Sequence, residues 1–88
     1  MHTIHKQKLI IADAQTIEIP KCSKILHVAK QQGCLCVWYE CDTDFPMEER
    51  TIYCFGTGYE LPDEKMRYIG TIFMYNETVV FHFYEKLK

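Results

Sequence analysis

Long hydrophobic runs are missing from this sequence, and no apolar stretch approaches the ~20 residues that a membrane-spanning helix requires. A basic excess is missing too: ten Lys and Arg stand against twelve Asp and Glu, for a net formal charge of −2. Proteins that live on phosphate backbones draw their affinity from neutralising phosphates, so duplex nucleic acid is not an expected partner. Nor are the carboxylates clustered enough to imitate DNA. Glycine and proline are scarce, at four and three residues, and no linker or low-complexity segment interrupts the 88 residues. The opening stretch "MHTIHKQKLIIADAQ" lacks the apolar centre and small-residue cleavage site of a secretion signal. Five cysteines, an odd number, suit a reducing compartment. The expectation is a soluble, cytoplasmic protein of one domain, residues 1–88, with no membrane partner.

Helical periodicity is also hard to find. Short runs rich in Ile, Val, Tyr, Phe and Thr take its place, separated by turn residues, which is the pattern of strands. Strands are expected at 3–10, 15–19, 25–31, 34–42, 50–56, 67–75 and 78–85, with room for a helical turn only at 44–49 and 60–66. Gly33 in "QQGC" and Asn76 in "YNET" are placed to supply the positive φ of two hairpins. In "TVVFHFYE", Val79, Phe81 and Phe83 share one side and Val80, His82 and Tyr84 the other. In "LCVWYEC", Leu35, Val37, Tyr39 and Cys41 oppose Cys34, Cys36, Trp38 and Glu40. Both faces are apolar or aromatic, so either each sheet is covered twice or one aromatic face meets a partner. The fold class is all-β: an antiparallel meander of about seven short strands closing into a small sandwich or barrel.

Several stretches carry candidate chemistry. Cys34 and Cys36 lie on one face of one strand, but the paired knuckles of a zinc site are missing, and buried packing thiols are the better reading. No cofactor and no metal is expected. A Cys/His nucleophile pair needs an orienting partner that His82 lacks in the sequence; a half-buried histidine bonded to backbone is expected instead. Glu40, Asp42, Asp44, Glu48 and Glu49 read as an exposed acidic rim.

"FGTGYELP" is the stretch of most interest. It meets neither GxGxxG nor GxxxxGK[ST], and Pro62 leaves no room for a helix to follow. A turn is the first reading, with the glycines letting the chain reverse. The second is a contact surface built around Gly56, Thr57 and Gly58, with Trp38, Tyr53, Phe55 and Tyr59 as stacking planes. Arg50 and Arg67, along with Lys6 and Lys8, stand at strand edges where they would meet a phosphate.

The pieces "TIHKQKL", "QTIEIPKCSKILHVAKQQGCLCVWYECD", "FGTGYELP", "YIGTIFM" and "VVFHFYE" occur in an order that resembles a family of small bacteriophage and prophage proteins, a domain of unknown function. The resemblance runs along nearly the whole chain. It rests most specifically on Ile4-His5-Lys6, Ile19-Pro20, Ile25-Leu26, Trp38, Gly56-Thr57-Gly58, Tyr68-Ile69-Gly70-Thr71 and His82. The chain departs in its cysteine content, and Cys22 stands where the resemblance implies glycine. It implies a phage origin and a small β domain. Short phage accessory proteins often act on host defence, so the expected role is a non-catalytic binding module that inhibits a host defence protein. An oligomeric sponge for a nucleotide second messenger comes second, and a hydrolase last. A homo-oligomer is expected in either of the first two cases.

Overall fold

A computed structural model covers residues 1–88 and contains seven strands and no helix. They are β1 (His2–Lys8), β2 (Ala14–Pro20), β3 (Lys24–Gln31), β4 (Cys34–Asp42), β5 (Met47–Gly56), β6 (Met66–Met74) and β7 (Val79–Lys86). Every pairing is antiparallel, and two sheets form, with orders β1-β4-β3 and β2-β5-β7-β6. All seven expected strands are present. The helical turn allowed at 44–49 does not form, because Met47 to Glu49 already pair with β2. Residues 60–65 form an irregular loop.

Of sandwich and barrel, the structure is a sandwich, a slab 41 × 34 × 16 Å in extent. Only β3–β4 and β6–β7 pair as neighbours in sequence; the other partners, β1 with β4, β2 with β5 and β5 with β7, are separated along the chain. The two hairpins turn where expected. Gln32 and Gly33 hold φ of 51° and 77°, and Asn76 sits among three consecutive positive-φ residues.

Alternation decides the core. Leu35, Val37, Tyr39 and Cys41 of β4 face inward and are buried, as are Ile52 and Cys54 of β5 and Phe83 of β7. Ile17 and Ile19 close one side, Ile25 and Val28 another. The sheets come closest between β3 and β6: a Cβ placed on Gly70 would lie 2.8 Å from Val28 Cγ1. A bulge between Tyr68 and Gly70 re-aims β6 at this point.

Each sheet is covered on one face only. The outer face of the four-stranded sheet therefore leaves large rings in solvent, among them Tyr68 at 54% and Phe73 at 51% exposure. No helix is long and apolar enough to cross a membrane.

A groove on the outer face of the four-stranded sheet

Antiparallel register sets the outer-face neighbours. Tyr53 pairs with Tyr84, Phe55 with His82, Tyr68 with Tyr84, and Thr71 with His82. Four rings follow in contact: Tyr53 to Phe55 at 5.9 Å between centroids, Phe55 to Tyr84 at 5.7 Å, and Tyr84 to Tyr68 at 5.5 Å. The latter two meet edge to face, the arrangement that aromatic quadrupoles favour.

Beside the rings runs a line of hydroxyls. Tyr68 Oη lies 2.6 Å from Thr71 Oγ1, which lies 3.0 Å from His82 Nδ1; His82 Nε2 is 2.8 Å from Thr57 Oγ1. His82 is half-buried, as expected, but its partners are side-chain hydroxyls rather than backbone. Thr57 is thereby tied to the sheet.

The "FGTG" stretch is a turn. The Tyr59 N–H donates to the Gly56 carbonyl at 3.2 Å, and Gly58 occupies the third position with φ of 89°, as a type II turn demands. The loop that follows bends back over β5. Its far end is anchored by Glu64, whose carboxylate accepts from Tyr53 Oη at 3.2 Å and faces Lys86 Nζ at 3.4 Å. The Glu64 hydrogen bond, followed by the Tyr53 oxygen, raises the Lys86 ammonium above its ordinary pKa.

Loop and sheet border an open groove divided by Phe55 and Leu61. One part, about 540 Å³, lies between Tyr53 and the Pro62–Glu64 segment; the other, about 250 Å³, lies between Thr57, Tyr59 and His82. The larger part falls within the range of small-ligand and side-chain sites. Its lip is acidic, with Asp13, Glu60, Asp63 and Glu64 around it.

Tyr53, Phe55, Gly56, Thr57, Gly58 and Tyr59 are thus brought together, as the sequence suggested. Trp38 is not. It lies half-buried on the outer face of the other sheet, its ring 6.3 Å from that of His27. Arg50 and Arg67 are not part of the groove either. In β2–β5 pairing Arg50 stands opposite the buried Ile17, and so faces inward. Its guanidinium donates to Glu85 at 2.6 Å, to Glu48 at 3.3 Å and to the Ser23 carbonyl at 2.9 Å. Arg67 reaches the same Glu85 at 4.0 Å. Lys6 is held by Gln31 on the three-stranded sheet. The sequence had no means of showing His82, Tyr84, Leu61 or the acidic lip as neighbours, because β5–β7 pairing joins strands distant in order.

A second cleft of about 530 Å³ lies at the sandwich end, between Lys21, Arg50, Glu85 and the C-terminal lysines. Its charges answer one another: Glu48 meets Arg50, Lys88 and the Cys22 N–H, while Glu85 is only 1% exposed and bound by Arg50. Glu48 is therefore half-buried rather than part of an exposed rim. Burial alone would push its carboxyl up, but the Cys22 N–H, Lys88 and Arg50 outweigh it and the pKa falls.

The cysteines are all free thiols, and Cys36, Cys41 and Cys54 are buried. Burial, with the Asp13 charge adding to it, pushes the Cys54 thiol up to about 11. No three His, Cys, Asp or Glu side chains lie close enough together to hold a metal ion.

A family described as "domain of unknown function (DUF7352)" matches residues 1–88, and the chain belongs to it. No curated protein and no solved structure matches the chain.

Proposed function

We propose that this member of the domain-of-unknown-function family is a non-catalytic binding module, which meets a protein partner through the outer aromatic face of its four-stranded sheet. The observation that carries this reading is the chain of four touching rings beside a groove, three of them half-buried and Tyr68 exposed, on a sheet face that no second layer covers. A contiguous apolar patch rimmed by polar groups is the usual mark of an interaction surface. Likeness to small phage proteins supports the finer reading: a phage accessory protein in the host cytoplasm whose target is a host defence component.

The nucleotide sponge draws support from the same rings, on which a base would stack. Its phosphates would fare worse. Arg50 is occupied by three internal acceptors, Arg67 faces the other side of the sheet, and the groove's lip carries carboxylates. Like charge at that lip costs affinity for any anion.

The test compares the two. Candidate host effectors and a panel of cyclic di- and trinucleotides are titrated against wild-type protein and against Tyr84→Ala. The binding-module reading expects a stoichiometric protein complex that Tyr84→Ala weakens at least tenfold when measured well below the variant's own, lowered melting temperature. A melting-temperature rise with a nucleotide, and no protein complex, would replace it by the sponge. Native mass spectrometry of the same samples reports subunit number.

A further inference from the structure

The structure assigns the larger part of the groove to one kind of contact: we infer that it receives an arginine side chain presented by the protein partner. This rests on the binding-module reading and narrows it to a class of partner, one with a basic contact surface.

The floor of the notch is aromatic. Tyr53 and Phe55 lie 5.9 Å apart by centroid and both line it, giving flat faces on which a cation is attracted by the ring quadrupole. Its lip is anionic. Asp13, Glu60 and Asp63 surround it and none of the three is engaged in an ion pair within the chain. Six other carboxylates have a basic partner: Glu48 and Glu85 with Arg50, Glu40 with His2, Asp42 and Asp44 with the terminal ammonium, and Glu64 with Lys86. Glu18, Glu49 and Glu77 have none, but none of these three lines a groove beside aromatic rings.

The molecule also displays the chemistry in miniature. Its own Lys86 places an ammonium 3.4 Å from Glu64 at the rim of this notch, where the Tyr53 hydroxyl shares the same carboxylate. A cation is already stabilised there by a carboxylate and a phenol together. That single lysine leaves the other three carboxylates unanswered.

Guanidinium fits better than ammonium. It is planar, stacks on an aromatic face, and its N–H fork meets carboxylates two at a time. A volume of about 540 Å³ accommodates the whole side chain with room for bridging water. The carboxylates do not converge on one point, so a bare metal ion lacks the oxygen shell it needs.

The experiment pans a random displayed library of twelve-residue peptides against the full chain, then measures selected peptides on three proteins. These are wild type, the double variant Glu60→Gln with Asp63→Asn, and Phe55→Ala. Both carboxylates are exposed and without partners, so the double variant is expected to keep its melting temperature. The expected result is enrichment of one arginine, loss of at least tenfold in affinity when it is replaced by the neutral isostere citrulline, and a similar loss in the double variant. Enrichment of apolar or acidic peptides, lost in Phe55→Ala but not in the double variant, overturns the arginine assignment and leaves the binding-module reading standing. Arginine-rich peptides that bind the double variant as well as wild type also overturn it, since they sit elsewhere. No enrichment at all overturns both. Sedimentation of the two proteins completes the test: a dimer present in wild type and absent in the double variant gives the notch to a second copy of this chain, against the assignment.

Discussion

Cys54 is the thiol nearest to the candidate groove in sequence, and its surroundings make it a poor nucleophile. It is 7% exposed, and burial together with the Asp13 charge lifts its pKa to about 11. The thiolate is the reactive form. At pH 8 the exposed Cys22 is expected to be alkylated by iodoacetamide far faster than the buried Cys54, whose labelling should rise with pH as its thiolate forms. Equal labelling, read by peptide mass spectrometry, would mean that the core around Cys54 is open. Cys22 itself occupies an awkward backbone position, φ 66°, in the turn closed by Ser23 N–H to the Pro20 carbonyl. This gives a physical reason for the glycine expected there from the sequence resemblance. Cys22→Gly is expected to stabilise the protein by about 1 kcal/mol in denaturant unfolding, since an L-residue in this region carries that strain. A loss of stability would show that the Cys22 side chain contributes contacts of its own.

Among the elements, the turn at residues 56–59 carries most of the candidate site. Gly58→Ala forces a side chain into a φ of 89° and is expected to cost about 1 kcal/mol. It should also loosen Thr57 from His82, which NMR would register as a change at the His82 ring. Gly70 has a different role, close approach, and a methyl there meets Val28. Gly70→Ala is expected to cost about 1–3 kcal/mol by overpacking, with the groove unaltered. Strand positions and the division into faces were largely legible: alternation alone puts Phe83 and Tyr84 on opposite sides, but with both sides rich in rings it did not say that Phe83 is the one that turns inward. The turn residues were legible as well. Partners were not. That Phe55 stands beside His82 depends on β5 choosing β7 over its neighbours in sequence, and that choice is settled by packing across the whole sandwich. Arg50 shows the same limit. It reads as an exposed cation, yet β2–β5 register turns it inward to Glu85.

For the molecule as a whole, a thin two-layer slab has little stability to spare. Phe83, wholly buried at the centre, is expected to cost about 3–5 kcal/mol on truncation to alanine, enough to leave a domain of this size largely unfolded. The Arg50–Glu85 pair closes the sandwich end. Glu85→Gln leaves the guanidinium without its main counter-charge and is expected to cost about 3 kcal/mol, while an apolar pair at both positions should recover most of that. If Glu85→Gln unfolds at the wild-type denaturant midpoint, the network that ties β5 to β7 and to the turn at Ser23 is not contributing to stability. These interior charges serve the fold. The outer-face rings also pack on one another, and the free carboxylates beside them belong to the proposed contact surface.

The most direct measurement is the NMR footprint of a bound partner, or of a selected arginine peptide, mapped on the assigned protein. The expected footprint covers Phe55, Leu61, Tyr53 and Tyr84 and leaves Trp38 and His27 undisturbed. A footprint centred on Trp38 and His27 instead would put the interface on the three-stranded sheet and contradict the account.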